Sequence, residues 1–499
     1  MQASQAKVMN SEQRKNIALK IITNNSTVTQ ISKQYKISRK FINQQTSKAI
    51  GAIDIKFAST DSEPPLLYVP VTKAWINQTV LTLMLTCKAS YRNVKTCLET
   101  LLNYNISVGS IFTIAQNAIE VAKKINVQQD LSNIAEPAID ELFHLNIPLL
   151  TGVDLRSTYC FLLQEESTRD GETWAKHLAI LKQQGLDPEK FIADFGSGLR
   201  EGIFTVYKDV PFQGDVFHVL YYLKKMVFYF KNRIKSRKSY LQELEEKFDK
   251  SSTNLTNNKN IIKARELNKK IMLAEEEIDK FELLAANTST LVSWMAHDVL
   301  SVAGPNKETR LKLYDFILEE LKKLQQLHPH RITAVYTLLN NNKQEILAFV
   351  NDLEQDFLEL VQKFNVPIED IWELCELCRC QRFSEKYYQR SKDIRKKLGE
   401  NQYILLLGLV GQVVASTNRA SSMVENLNGR IKPYCEIRKQ IGRGFTELLR
   451  FFINHTPLSC SRKKHRKNKT PAEVLMQKEH LPWLEMLGFQ KPELCKFPI

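Results

Sequence analysis

An abrupt change of pattern after Glu136 constrains the fold more than any other feature of this sequence. From there to Phe217, short β-forming runs alternate with helical patterns. Strands are predicted over Ala138–Phe143, Pro148–Asp154, Thr158–Gln164 and Lys190–Asp194 and around Phe212–Phe217, with a first helix over Glu172–Gln184 that ends at Gly185. The first three strands are separated by turns short enough for antiparallel hairpins, and the last two are separated by a second helix.

Acidic residues on these strands are the first candidates for chemistry. The order of three strands, helix, strand, helix, strand is the ribonuclease H (RNase H) plan, in which a mixed sheet carries acidic residues at its centre. Asp140 lies inside the first strand, where an Asp-Glu pair in an apolar run is uncommon. Asp194 ends the fourth strand, which neighbours the first strand in that plan; a catalytic role is favoured, with capping of the next helix as the alternative. Asp154 also ends a strand and is the rival first aspartate.

The segment from Ser11 to Lys48 has helix-turn-helix spacing. Ile31 and Ile42 mark the apolar faces of two short helices, and Ser38 is the predicted N-cap of the second. The open face of that second helix carries side chains suited to base edges and phosphates in a major groove: Arg39, Lys40, Asn43, Gln44 and Ser47. Lys36 stands where the turn often has Gly, and a plain three-helix bundle would have the same spacing.

A second helical unit follows Asp61–Pro65, which the paired prolines identify as a linker. It is a candidate second helix-turn-helix, with Ser107 as the N-cap of a helix running toward Lys124. The exposed face of that helix is predicted to carry polar but hardly basic residues: Ser110, Thr113, Gln116 and Asn117. A structural or dimerising role therefore competes equally with DNA binding.

The stretch from about Val219 to Ala415 is helical in pattern. Tyr240–Phe281 is rich in Glu, Lys and Leu and is interrupted near Ser251–Asn260, which predicts a helical hairpin. Tyr403–Ala415 is the longest apolar run, and it predicts a buried helix because it is shorter than the ~20 residues that span a bilayer. This stretch is either an insertion into the α/β domain or a separate all-α domain.

Length and charge bound the classes of function. A chain of 499 residues predicts two to four domains. The 70 Lys and Arg against 55 Asp and Glu give a net charge of +15, which favours polyanionic partners and makes nucleic acid the first to test. Nine scattered cysteines and the lack of a leader pattern predict a reducing cytoplasm rather than a secreted disulfide scaffold.

Five segments together resemble a known family. They are Ala-Ile-Asp140-Glu-Leu-Phe, Leu-Leu-Thr-Gly-Val-Asp-Leu-Arg-Ser, Gly-Glu-Thr-Trp174, Ile-Ala-Asp194-Phe-Gly-Ser-Gly-Leu and Asp215-Val-Phe-His218. In this order they resemble bacterial insertion-sequence transposases of the DDE class, and Arg419-Ala-Ser-Ser-Met-Val-Glu425-Asn-Leu-Asn-Gly-Arg430 looks like that family's glutamate motif. The likeness covers about 138–223 and 418–475.

The resemblance implies a carboxylate triad of Asp140, Asp194 and Glu425. Cleaving a phosphodiester and joining the freed 3′-hydroxyl to a second one is chemistry that two Mg²⁺ or Mn²⁺ ions support, and such cations take carboxylate ligands. Glu425 also has a structural interpretation, because Ser422-x-x-Glu425 is a capping box. Glu436 and Glu447 are the alternatives for the third carboxylate.

Further candidates surround the triad. Asp215 and His218 are similar to an accessory pair of such transposases, in which the His would donate to the scissile phosphate or to a bound water. Asn428 and Lys432 would hold the DNA backbone from the helix of Glu425. The run of residues 462–469, which begins with Arg462, Lys463 and Lys464, suits phosphates or is a solvated loop. Trp294 is interpreted as a core residue, with stacking on an unpaired base as the alternative.

The expected fold is an α/β RNase H-like catalytic core interrupted by a large all-α insertion and preceded by N-terminal helix-turn-helix units. The expected domains are 1–55 (DNA binding), 66–135 (helical), 136–218 (first part of the core), 219–415 (insertion), 416–475 (final core helix and basic segment) and 476–499 (C-terminal extension). The expected function is a bacterial, nucleoid-associated DNA transposase that acts as a homodimer or higher oligomer on terminal inverted repeats and target DNA, with no membrane partner. The alternatives are a DNA-binding regulator without chemistry and a metal-dependent nuclease.

Overall fold

The computed structural model describes residues 9–57, 71–252, 258–382, 384–419, 422–438 and 441–490. These residues divide into two compact units, one within residues 9–72 and one within residues 73–490. The predicted linker Asp61–Pro65 and the side chain of Ser422 lie outside the described residues.

The N-terminal unit consists of three helices, α1 (Ser11–Ile22), α2 (Val28–Tyr35) and α3 (Arg39–Phe57). Their common core is a small set of buried isoleucines: Ile17, Ile31, Ile37 and Ile42. Lys36 adopts a left-handed backbone conformation with φ of +51°, so it makes the sharp turn that Gly often makes. The Ser38 hydroxyl accepts a hydrogen bond from Phe41 N, as predicted for an N-cap.

The second unit begins with three helices, α4 (Lys73–Leu85), α5 (Tyr91–Leu102) and α6 (Val108–Gln128). Ser107 caps α6 as predicted, because its side chain accepts a hydrogen bond from Ser110 N. The buried face of α6 includes Ile111, Ala115 and Ala122, and it packs against a helix near the C-terminal end of the unit. These helices therefore belong to the same folded body as the sheet.

The sheet has five strands, β1 (Pro137–His144), β2 (Ile147–Asp154), β3 (Cys160–Glu165), β4 (Phe191–Ala193) and β5 (Phe212–Gly214), in the order β3-β2-β1-β4-β5. The first three strands form antiparallel hairpins, and β4 and β5 pair in parallel with β1 and β4, respectively. The prediction of a mixed sheet in which the strands of Asp140 and Asp194 are neighbours is confirmed.

Helices cover both faces of the sheet. The helices α7 (Gly171–Gln183) and α8 (Ser197–Val206) pack on one face through residues such as Trp174 and Leu199. The opposite face packs against α6, α18 (Ser422–Glu436) and α19 (Arg443–Asn454). Two short helices, α20 (Pro471–Met476) and α21 (Trp483–Met486), follow. Because strand residues alternate between faces, Asp140 shares its face with Ala138 and Leu142.

A helical body separates β5 from α18. Its elements are α9 (Val216–Ser252), α10 (Asn258–Trp294), a π-helical turn (Met295–Val299), α11 (Lys307–Leu327), α12 (Pro329–Asn341), α13 (Lys343–Ile346), α14 (Ala348–Phe364), α15 (Ile368–Arg379), α16 (Glu385–Leu398) and α17 (Glu400–Ser416). The helices α9 and α10 form the expected hairpin, and Leu244, Leu267 and Ala274 pack together within it. The other helices enclose a large apolar core that includes the first turns of α9.

The chain returns from the helical body to the sheet through residues 417–419. Gln213 Nε2 donates to Asn418 O at 2.8 Å, and Val216 N donates to Arg419 O at 3.1 Å. The Asn418 amide also donates to Glu136 Oε2 at 2.5 Å, just before β1. These bonds join the segment that precedes α18 to the starts of β1 and α9.

Two expectations about the helical body are wrong. The helix α17 buries Tyr403, Leu406 and Val410 but exposes Ile404 and Leu405, so the run Tyr403–Ala415 is buried on one side only. Trp294 is not a core residue, because 39% of its surface is exposed and its ring packs against Phe316. Among the described residues, no helix combines the length and apolarity that crossing a bilayer requires.

Candidate metal centre

Asp140 lies on the strand at the middle of the sheet and is 6% exposed. Its backbone is fixed on one side by β2, where Thr151 Oγ1 donates to Asp140 O at 3.0 Å. Its carboxylate Oδ2 accepts a hydrogen bond from Asn428 Nδ2 at 3.1 Å. The neighbouring Glu141 points to the other face, where Arg169 and Trp174 Nε1 donate to it. The two acidic residues of the Asp-Glu pair therefore have separate surroundings.

Glu425 and Asn428 come from α18, which packs against β1 and β2. The two residues are three positions apart in the sequence, so both lie on the helix face that meets Asp140. Val424, Leu427 and Ile431 bury the adjoining face and fix the rotation of the helix against the sheet. Lys432, a further turn along, is exposed. The Asn428 amide donates to Asp140, and its expected contact with the DNA backbone stays a prediction.

His218 lies in the first turn of α9, directly after β5. Asp215 is fully buried and begins that helix: its Oδ1 accepts from Phe217 N at 2.7 Å, and its own N donates to Ala193 O at 2.8 Å. His218 Nε2 is 3.8 Å from Asp215 Oδ2. Asp215 is thus a helix cap that also places a carboxylate near the imidazole.

The three elements bring Asp140, His218 and Glu425 together. Each offers one ligand atom, and these atoms all lie within 4.8 Å of one another. Carboxylate oxygens and an imidazole nitrogen are donors that Mn²⁺ accepts, and the oxygens suit Mg²⁺. Two buried atoms at this site, Nε2 of His218 and Oδ1 of the adjacent Asn428, have no hydrogen-bond partner among the described residues. Because such atoms are costly to bury, the donor set fits a bound cation.

Asp194 follows β4 directly and continues the parallel register Ile139↔Ala193, which puts it beside Asp140. Its Oδ1 accepts a hydrogen bond from Gly196 N at 3.0 Å, at the start of α8. Asp194 therefore lies beside the group of Asp140, His218 and Glu425 but is not one of its three members. Among the described residues, the other oxygen of the Asp194 carboxylate has no hydrogen-bond partner.

The electrostatics of Asp140 reflect this crowding. Burial, together with the nearby Asp194 and Glu425 carboxylates, raises the pKa of Asp140 to about 7. The backbone hydrogen bond at Glu141 and the charge of His218 act in the opposite direction. A cation held among these groups would lower the pKa of Asp140 again, because it stabilises the ionised carboxylates.

The rival acidic residues have other partners. Asp154 is 2% exposed, and its Oδ2 accepts hydrogen bonds from Ser157 N at 2.7 Å and Ser157 Oγ at 2.5 Å. It pairs with Pro137 at the start of β1, whereas Asp140 pairs with Thr151. Glu447 forms an ion pair with Arg450 at 2.9 Å, and Glu436 is exposed. None of the three belongs to the group around Asp140.

The expected DNA contacts of the N-terminal unit are exposed on α3. Arg39, Lys40, Asn43, Gln44 and Ser47 all face solvent, opposite the buried Ile42. The geometry leaves them free for a polyanion, and their role in DNA binding stays a prediction.

The basic segment after α19 is a loop. Arg462, Lys463 and Lys464 are exposed, and the buried Arg466 anchors the loop by donating to the carbonyls of Leu155 and Arg156. The loop borders a cavity of about 510 Å³ whose other lining residues include Asn426 and Arg430 of α18. The lining contains no Asp or Glu. Arg430 ends the glutamate motif of the sequence, but the motif gave no signal that it would line this cavity.

Comparison with known proteins adds little. No protein-family model matches the chain, and no curated protein matches it. A solved structure, the Drosophila P element transposase strand transfer complex, matches with 12% identity and a TM-score of 0.23, covering 89% of this chain and 98% of that chain. A likeness this weak carries no argument about fold or function, and the bacterial origin implied by the motif resemblance has no support from it.

Proposed function

We propose that the protein is a DNA transposase, a polynucleotidyl transferase that depends on divalent cations. The observation that carries the proposal is the meeting of Asp140, His218 and Glu425 beside Asp194. These residues come from four separate segments, and Asp140 and its bonded partner Asn428 are 288 positions apart. Asp140 is buried, and the half-buried Asp194 and Glu425 bring two further carboxylates beside it, so a bound cation would offset their mutual repulsion.

In this proposal Asp140, Asp194 and Glu425 supply the carboxylate ligands, and His218 either completes the set or donates to the scissile phosphate. When bound, two Mg²⁺ or Mn²⁺ ions would activate the attacking oxygen and stabilise the leaving oxyanion. Asn428 holds the Asp140 carboxylate in one orientation through its 3.1 Å hydrogen bond. Asp215 fixes the first turn of α9 and so positions the His218 ring.

The remaining parts supply DNA contacts. The exposed face of α3 would recognise the terminal repeats, whereas Lys432 and the loop residues Arg462, Lys463 and Lys464 would contact phosphates near the metal centre. Joining two ends to one target requires two copies of the catalytic residues, which supports a homodimer or higher oligomer as the active form.

The test is a strand-cleavage and strand-transfer assay with the inverted repeats that flank the gene, in Mg²⁺ or Mn²⁺. Wild type should produce nicked and joined products, and Asp194→Asn should lose both. Asp187→Asn is the matched control, because Asp187 is exposed on the approach to the same strand. Equal products from wild type and Asp194→Asn would remove Asp194 from the site.

The same assay separates the two alternative functions. A regulator without chemistry would shift the repeat DNA in a gel but leave every strand intact. A nuclease would cleave the DNA in a metal-dependent manner and yield no joined product. Either result would contradict the transposase assignment.

A further inference from the structure

The start of α9 exposes an aromatic and basic surface next to the metal centre. Phe217, Tyr221 and Phe228 are 46%, 50% and 64% exposed, although aromatic side chains are usually buried. Phe217 adjoins His218, and their rings meet edge to face at 5.8 Å. The surface therefore begins one residue from a member of the candidate metal centre.

The spacing places these side chains on one face of the helix. Three aromatic and three basic residues follow one another at intervals of four, three, four, three and four positions: Phe217, Tyr221, Lys224, Phe228, Lys231 and Lys235. At about 100° per residue they all fall within an arc of roughly 80°. The opposite face of α9 is buried in the helical body through Val219, Leu223 and Phe230. The aromatic residues are therefore not needed for packing of the helix.

The charge of this segment has one sign. Residues 216–240 contain seven Lys and Arg and no Asp or Glu. Arg237 and Lys238 form ion pairs with Glu277 and Glu282 of α10. Lys224, Lys231 and Lys235 form no ion pair in the part of the chain that the structure describes. Their charge is available to a polyanion.

We infer that this face of α9 binds single-stranded DNA, with bases stacked on Phe217, Tyr221 and Phe228 and phosphates beside Lys224 and Lys231. Aromatic platforms interleaved with basic residues are the usual means of binding unpaired strands, because every base has a face that stacks. Phe217 and Phe228 are separated by ~16 Å along the helix, which suits a few extended nucleotides. Lys225, whose ammonium group is 5.6 Å from the Tyr221 ring centroid, flanks the same face.

The inference deepens the proposed function, on which it rests for the identity of the strand as DNA. The face begins one residue from His218, so an unpaired strand that extends from the metal centre along α9 would lie against it. A duplex hides the faces of its bases, so the aromatic residues would discriminate between single strands and duplexes.

The test measures equilibrium binding of the full chain to a fluorescent 20-nucleotide oligothymidylate by anisotropy, in EDTA so that no cleavage occurs. The double variant Tyr221→Leu/Phe228→Leu keeps apolar bulk but removes both stacking rings. We expect it to bind the single strand at least about tenfold more weakly. It should bind a duplex of matched length within about twofold of wild type, because the stacked bases of a duplex cannot stack on protein side chains.

Two further variants sharpen the result. Tyr388→Leu removes an exposed aromatic ring from α16 and should change neither affinity. Lys224→Gln/Lys231→Gln should reduce the slope of log affinity against log salt by about 1.4 for the single strand. Circular dichroism and sedimentation of each variant check that fold and oligomeric state are retained.

Unchanged single-strand affinity in Tyr221→Leu/Phe228→Leu would overturn the inference. So would an equal loss of duplex affinity, or dissociation of an oligomer with single-strand binding intact, which would identify the face as a protein interface. Asp140→Asn should bind the oligonucleotide like wild type, because the binding needs no metal. If wild type and all variants fail to transfer strands, but the α9 variants still lose single-strand affinity, the proposed function is wrong and the inference about the α9 face is retained.

Discussion

Asp140 and Asp154 lie on neighbouring strands of the same sheet and are both nearly inaccessible, yet their surroundings differ. Burial raises the pKa of each. The Asp154 carboxylate receives two hydrogen bonds from Ser157, and the charge of Arg466 also favours its ionised form. Asp140 has one amide donor and two other carboxylates nearby. The comparison teaches that burial alone does not make an aspartate a candidate metal ligand; incomplete neutralisation does.

The largest expected difference is in activity. Asp140→Asn should lower the rate of strand cleavage in Mg²⁺ by at least about 1000-fold, because it removes a proposed ligand from the centre. Asp154→Asn retains an acceptor for Ser157 and should stay within about tenfold of wild type. Comparable losses in two well-folded variants, measured under single-turnover conditions, would break the distinction between the two aspartates.

The second-largest expected difference between Asp140 and Asp154 is in the stability that a bound metal adds. Mn²⁺ at one hundred times its dissociation constant stabilises a folded protein by about 2.7 kcal/mol when it binds only the native state. Wild type and Asp154→Asn should show this gain in urea unfolding, whereas Asp140→Asn should lose most of it. The control is Asp187→Asn, which should behave like wild type. A full Mn²⁺ response in Asp140→Asn would exclude Asp140 as a ligand.

The two sites should also respond oppositely in EDTA at pH 8. Asp154→Ala leaves the Ser157 donors without an acceptor and should lower the free energy of unfolding by about 1–3 kcal/mol. Asp140→Asn removes a buried charge that Asp194 and Glu425 repel, and should raise it by about 1 kcal/mol. Urea denaturation of both variants checks the signs. Destabilisation by both would mean that Asp140 is neutralised within the apoprotein.

The smallest expected effect is a dependence on pH. The folded pKa of Asp140, about 7, lies above its unfolded value, so its contribution to stability is complete below about pH 4 and is lost as pH rises through 7. Wild type in EDTA should therefore lose about 1 kcal/mol relative to Asp140→Asn between pH 6 and 8. Stabilisation by Mn²⁺ should be greater at pH 8, because the cation competes with the proton. Parallel pH profiles for the two proteins would contradict this.

Local patterns were sufficient to predict much of the sheet. Alternation and turn residues located the hairpins, and the strand of Asp140 was correctly expected to neighbour that of Asp194. The partners of Asp140 could not be predicted from local patterns, because its contact with Asn428 spans 288 positions and depends on the return of the chain through residues 417–419. The bonding of Asp154 to Ser157 depends on a tight turn, after which Thr158 has a φ of +65°.

Side-chain exposure was the least predictable property. Ile404 and Leu405 continue an apolar run but face solvent, and Trp294 was assigned to the core although it is exposed. In both cases the tertiary packing of the helical body decides which face of a helix is covered, and composition carries little information about that choice.

The most direct test of the central claim is a crystal of the protein soaked in Mn²⁺ and measured at the manganese absorption edge. The account predicts anomalous density within coordination distance of the Asp140 and Glu425 carboxylates, with Asp194 or His218 as a further ligand. A well-diffracting crystal in which these carboxylates bind no manganese, or in which manganese occupies only sites elsewhere, would contradict it.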